Sequence, residues 1–348
     1  MPVLSYLKIS GSPFEAGHAL GRFGAQAVHA HLLQSDAWGR IMQWRNSARV
    51  ADMAKLVRER FPGVWSELEG LAAGLQLPLD DVFAWNCRGD LWAFAPDGCT
   101  TVLLPGRETR RITHNEDGDP GFAGHCAIVE YAIDGNPRIA TFAYPGSIPG
   151  HTFAATDAGL AVTVNNMRVR DVDVGVPRMV LTRALLDAPD LESAVAVLEK
   201  HPRAGGFHLS MAHPDSSDLL SVEFSAFACS VRAVASPCVH ANHAVHPGVR
   251  DLPQVITGSS GFRQIRGDAM LAEFAAAREP IEPLRILGDA SNRQYPIFRD
   301  DPSDRDDENT MATADIRVTA DGVEWEIRES PRASARFSMA GGHAAARS

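Results

Sequence analysis

No two of the five cysteines stand in a C-x-x-C pair. Cys87, Cys99, Cys126, Cys229 and Cys238 are odd in number and scattered, which argues against a disulfide framework or a zinc ribbon. Long apolar runs are missing too: nothing approaches the roughly 20 residues that span a bilayer, so no membrane partner is expected. The opening MPVLSYLKISGSPFEAGHALG lacks a basic start followed by an apolar run. No signal peptide is therefore expected, and a cytoplasmic protein with mostly inert thiols is the default. Basic residues are outnumbered, 33 against 43 acidic ones, for a formal net charge of −10. With no Lys/Arg stripe, an electrostatic case for nucleic acid fails. Internal repeats are absent.

What is present is a chain of 348 residues, 45% hydrophobic and 22% charged, enough for a sizeable core in one large domain or two ordinary ones. From Pro13 to about Asp90 apolar residues recur at spacings of three and four, as in FEAGHALGRFGAQAVHAHLLQ and VWSELEGLAAGL, which predicts helices. After Pro96 the pattern becomes short β-rich runs cut by Gly, Pro and Asp: CTTVLL, RRITHN, HCAIVEYAI, PRIATFAY and GLAVTVNNM. VPRMVLTRALLDAPDLESAVAVLEKH reads as a helix pair with Asp190 as N-cap of the second. Strands follow (GFHLSMAHP, LLSVEFSAFACSVRAV, CVHANHAV), then a helix starting near Ser259 or Ser260 and a closing strand pair joined through Asp321-Gly322. This order predicts an α+β fold with helices on the outer faces of sheets rather than a doubly wound parallel sheet. RDDPSDRDDEN (299–309) reads as a solvated acidic loop without calcium-loop spacing.

The stretch PDGCTTV (96–102) raises a chemical question. A buried cysteine packs as a small apolar residue, and Cys99 as core filler is the plain reading. The sharper one is that the chain is cut before it. A nucleophile needs a base with a pKa near working pH, and a free α-amino group titrates at about 7.7–8.0. A cysteine at a chain's own N-terminus therefore carries thiol and base together. Gly98 suits a cut, since it lacks a Cβ to shield its carbonyl from the Cys99 thiol, and Thr100 and Thr101 supply hydroxyls alongside.

DGCTT resembles the cleavage motif of the isopenicillin N acyltransferase family, cysteine-type N-terminal nucleophile hydrolases. Further stretches are similar to the family in the same order: GSPFEAGHALG (11–21), ELEGLAAGLQLPLDDVFAWNCRGD (67–90), THNEDGD (113–119), HANH (240–243), SSGFRQIR (259–266) and TMATADI (310–316). The resemblance implies an αββα sandwich of two mainly antiparallel sheets, formed by residues 1–348 as one domain. It also implies a cut between Gly98 and Cys99, giving a helical small chain, 1–98, that stays as partner of the large chain, 99–348. On the same ground Cys99 is the nucleophile and Asp117 holds its freed amine. Asn242 donates to the oxyanion, Arg263 lies near the site, Thr101 serves processing and Asn115 is the motif asparagine that lines the substrate site. Read without the family, Asp117 is a turn cap, Asn242 a turn residue and Arg263 a surface arginine. Glu116 departs from the family, where the position is often aromatic; a carboxylate there repels an anionic substrate or pairs with a cationic one, which argues against a penicillin.

The expected activity is hydrolysis of a small N-acylated amine, amino acid or short peptide through a thioester on Cys99, with no cofactor and no metal. Transfer of the acyl group to an amine, or an unprocessed binding protein, are the alternatives, and a homo-oligomer stays open. His240, His243 and His246 step by three; read as strand then turn, they do not make a zinc site. CRGD (87–90) falls on a predicted helix and GSSGFR (258–263) lacks the Lys-Ser/Thr end of a P-loop, so neither carries function.

Overall fold

The computed structural model describes residues 4–94, 98–301, 303–304 and 306–345. Pro96 and Asp97 of the stretch PDGCTTV lie outside them. The chain opens on β1 (Ser5–Gly11) and runs through six helices, α1 (Pro13–Ala30), α2 (Asp36–Met42), α3 (Ala48–Arg60), α4 (Pro62–Leu75), α5 (Leu79–Asn86) and α6 (Arg88–Leu91). Strands β2 (Gly98–Leu104), β3 (Arg110–Gly118), β4 (Ala127–Ile133), β5 (Ile139–Ala143), β6 (Phe153–Thr156) and β7 (Ala161–Asn166) follow. Helices α7 (Arg178–Leu185) and α8 (Leu191–Lys200) then precede β8 (Phe207–Ala212), β9 (Leu219–Phe224), β10 (Cys229–Ala233) and β11 (Cys238–His240). The chain closes with α9 (Gly258–Ala277), α10 (Pro283–Leu287), β12 (Asn309–Thr319), β13 (Gly322–Arg328), β14 (Phe337–Ala340) and β15 (His343–Ala344). The expected helices and strands are in place, and Asp190 caps α8 by accepting from Ser193 N at 2.7 Å. Local patterning did not mark β6 and α10 within the chain, nor β1, β14 and β15 at its two ends.

The strands form two sheets. One runs β1-β4-β5-β6-β7-β8-β9-β10, the other β11-β2-β3-β12-β13-β14-β15. Every pair is antiparallel except β1 with β4. The sheets pack face to face, as shown by Phe153 of β6 meeting Trp325 of β13 edge-on at 6.0 Å. Helix α1 contacts β1 and β4, while α9 and α10 lie over β11, β2 and β3. This is the αββα sandwich. No described helix is long and apolar enough to cross a membrane.

The glycines of GSPFEAGHALG have a packing reason. Ser12 and Glu15 form a capping box at the start of α1, with Pro13 in its first turn. One and two turns on, a Cβ at Gly17 would sit 2.0 Å from Glu67 O and one at Gly21 2.4 Å from Leu71 O, both on α4. Gly70 and Gly74 of α4 answer them, so the two helices touch backbone to backbone.

Alternation along β2 places the site. Leu103 joins the core between the sheets and Val102 joins a separate cluster with Met270, Phe274 and Leu287 beneath α9 and α10. Cys99 and Thr101 therefore share the inner face, and Gly98 and Thr100 the face under α9. On β3, Glu116 pairs with Cys99 and His114 with Thr101, whereas Asp117 pairs with Gly98 and Asn115 with Thr100.

Candidate active site

Cys99 is 2% exposed and held at each of its polar atoms. Its backbone N–H donates to Asn242 Oδ1 at 3.0 Å, its carbonyl accepts from Arg263 Nη1 at 2.5 Å, and Sγ lies 3.8 Å from Glu116 Oε2. Arg263 enters from the first turns of α9, whose N-cap is Thr257. Its guanidinium also donates to Thr100 Oγ1 (2.8 Å), Asn242 Oδ1 (2.5 Å) and, through Nε, Ser259 Oγ (3.1 Å). It is 1% exposed, so the surface-arginine reading is corrected. Asn242 follows β11; its backbone N–H donates to Ser260 Oγ at 2.9 Å and its Nδ2 to Asn166 O at 3.0 Å. With Gly98 and Cys99 joined, it is thus Oδ1 of Asn242 that faces the cysteine, and the amide assigned to an oxyanion points at Asn166.

Asp117 is buried next to Gly98, not a solvent-facing turn cap. Thr310 Oγ1 donates to its Oδ1 at 2.7 Å, while Oδ2 has no hydrogen-bond partner among the described residues. Burial pushes its pKa up to about 6, against the pull of the Arg263 and Arg299 charges. A carboxyl whose folded pKa lies above its unfolded value adds stability at low pH, and that contribution fades as pH rises through about 6. In the uncut Cys99→Ala chain, Asp117→Asn, which mimics the protonated form, is therefore expected to gain stability over its Asp117 parent on going from pH 4 to pH 8. The shift is on the order of 3 kcal/mol, and thermal unfolding of both proteins at the two pH values reads it. Introduced into the native chain, Asp117→Asn should lower activity at both.

Three residues outside the expected set close the site. Glu308 is 2% exposed and accepts from Arg168 Nη2 at 3.1 Å and Arg299 Nη1 at 2.7 Å. A Cβ on Gly98 would lie 2.4 Å from Glu308 Oε2, so only glycine lets that carboxylate stand there. Arg299 also bonds Ser259 Oγ at 3.2 Å and pairs with Asp304. The acidic run expected as a solvated loop is exposed over most of its described middle but buried at its two ends, Arg299 and Glu308, near Gly98, where Arg168 and Arg299 neutralise Glu308.

Asn115 lies on the other face from the Cys99 thiol. Its Nδ2 donates to Leu287 O at 3.0 Å and its Oδ1 accepts from Thr313 at 2.7 Å, so it ties β3 to α10 and β12. Thr101 is beneath Cys99, with Oγ1 2.8 Å from His114 Nδ1 and 2.7 Å from Asn165 Oδ1. His240, His243 and His246 turn to separate partners, Glu223, Ser260 and Ser221. Cys99, His114 and Glu116 do bring their donor atoms within 4.8 Å of one another. His114 Nε2 and Glu116 Oε2 are 3.1 Å apart, a hydrogen-bond distance.

A cleft of about 550 Å³ opens at this end of β2, lined by His31, Trp92, Phe94, Asp119, Arg168 and Glu308 among others. Carboxylates outnumber Arg168 in its wall, since Asp36, Asp306 and Asp307 join Asp119 and Glu308. A cavity of about 560 Å³ along the far half of α9 shares no residue with the site, and its Arg266 and Arg285 are paired with acids.

A sandwich of two mainly antiparallel sheets between helical layers is the fold of the N-terminal nucleophile hydrolases. Within that class the chain belongs to the acyl-coenzyme A:6-aminopenicillanic acid acyl-transferase family, whose sequence model matches residues 105–330. That match starts just past β2 and takes in Asp117, Asn242 and Arg263. A beta-alanyl-dopamine/carcinine hydrolase of Drosophila melanogaster is similar over 356 aligned positions at 22% identity, covering 89% of each chain.

Proposed function

We propose that the chain cuts itself between Gly98 and Cys99 and then hydrolyses the amide of a small N-acylated amine through a thioester on Cys99. The observation that carries this reading is the grip on Cys99. Asn242 and Arg263 fix its nitrogen and carbonyl, and Asp117 lies beside the bond to be cut. Once that bond opens, the nitrogen becomes a primary amine with Asn242 Oδ1 already facing it. The unpartnered Oδ2 of Asp117 is then at hand to hold the amine as it takes the thiol proton. Sulfur attacks the substrate carbonyl, the amine hands its proton to the leaving nitrogen, and water resolves the thioester. The five cysteines are free thiols, which fits the reducing cytoplasm.

The cleft favours a cationic substrate. Its surplus of carboxylates attracts an ammonium group, and Trp92 and Phe94 offer aromatic faces to it. A β-alanyl amide, the acyl class in the name of the Drosophila relative, carries such a group. Purified protein should release amine from β-alanyl amines faster than from neutral N-acyl amines of the same size. Release from neither by properly cut protein would overturn the amidase reading. Acyl transfer is distinguished in the same assay: added free amine would then appear as a new amide in place of the free acid.

A further inference from the structure

We propose that Glu116, backed by His114, takes the thiol proton of Cys99 while the chain is still joined; this rests on the self-cleavage reading above. The amine that serves as base after the cut does not exist before it, because Cys99 N is then an amide with no basic lone pair. A thiol in a buried site is also reluctant to ionise unaided. The cut needs another proton acceptor, and Glu116 stands on the same face of the sheet with Oε2 3.8 Å from Sγ.

Hydrogen accounting along the inner face shows what the pair can do. Asn165 Nδ2 donates to His240 O, so its Oδ1 only accepts. Thr101 has one hydroxyl hydrogen, and Asn165 Oδ1 at 2.7 Å takes it. His114 Nδ1, at 2.8 Å from the same hydroxyl oxygen, must therefore carry its own hydrogen and donate. That leaves Nε2 of a neutral His114 ring bare and 3.1 Å from Glu116 Oε2, so one proton lies between carboxyl and ring. Burial pushes the His114 pKa down to about 3, so the ring is neutral at rest and takes the proton only as negative charge builds on the neighbouring sulfur. The same Asn165 oxygen is also met by His208 Nδ1 at 3.2 Å, and Phe153 packs edge-on against the imidazole.

The step balances without a co-reactant. The thiol proton moves to Glu116 Oε2 as the shared proton moves to His114 Nε2. Sulfur bonds to the Gly98 carbonyl carbon and the C=O electron pair shifts to oxygen. As the C–N bond breaks, the pair returns a proton to Cys99 N, leaving a thioester and an amine. Water then adds to the thioester carbon, the C–S bond breaks and sulfur regains a proton, freeing the Gly98 carboxylate. Glu116 is the catalytic group of this step; His114 acts through it and Thr101 fixes the ring.

Cutting is followed after cell-free synthesis for the native chain, Glu116→Gln and His114→Gln, with thermal unfolding of each product. The native chain should cut with little dependence on pH between 7 and 9. Both variants should be slower by roughly 100-fold at pH 7 and gain about tenfold per pH unit, as solution ionisation of the thiol replaces the lost acceptor. Two variants guard against one that misfolds. Native-rate cutting by a folded Glu116→Gln overturns the proposal, and so does slow cutting that keeps the native pH profile. A native chain that never cuts defeats the self-cleavage reading instead.

Discussion

Cys99→Ala should be recovered as one unbroken chain of 348 residues without amidase activity. The substitution removes only sulfur, and alanine fits the space, so the fold should survive with a Tm near the native value. What vanishes is the atom that opens the Gly98 carbonyl and later carries the acyl group. Neither Thr100 nor Thr101 can substitute. Thr100 Oγ1 is bound by Arg263 under α9, and the Thr101 hydroxyl hydrogen is committed to Asn165. Activity is expected to drop by roughly 10⁴-fold or more, as for loss of a covalent nucleophile. Intact mass and a release assay check both halves. A cut or active Cys99→Ala protein would place the chemistry elsewhere.

Arg263→Ala is the second large effect, and it should damage stability as well as activity. One buried guanidinium serves four oxygens: the Cys99 carbonyl, Thr100 Oγ1, Asn242 Oδ1 and Ser259 Oγ. Its removal takes that donor from the buried Cys99 carbonyl and Thr100 Oγ1, at about 1–3 kcal/mol each, and takes a positive charge away from Asp117. The Asp117 pKa should then climb above its present value of about 6, because Arg263 is the first of the charges that pull it down. Any pH–rate limb set by Asp117 should shift upward with it. Arg263→Lys keeps the charge but cannot span the same set of oxygens, so it should restore the pH limb more than the rate. Unfolding scans and pH–rate profiles of the three proteins separate these effects. Equal stability and rates for Arg263→Ala would reduce this arginine to a bystander.

Much of the architecture was legible locally. The change from three-and-four spacing to short β runs after Pro96 marked the helical first quarter, and Asp190 and Asp321-Gly322 marked boundaries that the structure keeps. The strands at the two ends of the chain were not legible; β1, for one, is ordered by parallel pairing with β4, more than a hundred residues on. For the site, local reading made a turn cap of Asp117 and a surface residue of Arg263, and only the order of family-like motifs pointed to their neighbourhood with Cys99. Burial of both follows from contacts that no window of sequence contains: Thr310 to Asp117, and α9 laid across β2. Glu308 and Arg299 were hidden within an acidic run whose composition predicts exposure. What reverses it is Arg168, which reaches Glu308 from the stretch after β7. Asn115 shows the converse. It sits between two site residues in sequence, yet strand alternation turns it to the opposite face from the thiol.

The central claim is tested most directly by N-terminal sequencing of the purified, active native protein. The account predicts a second N-terminus reading Cys-Thr-Thr-Val, from residue 99, in equal amount to the first. Active protein that yields only the original N-terminus, with Gly98 still linked to Cys99, would contradict it.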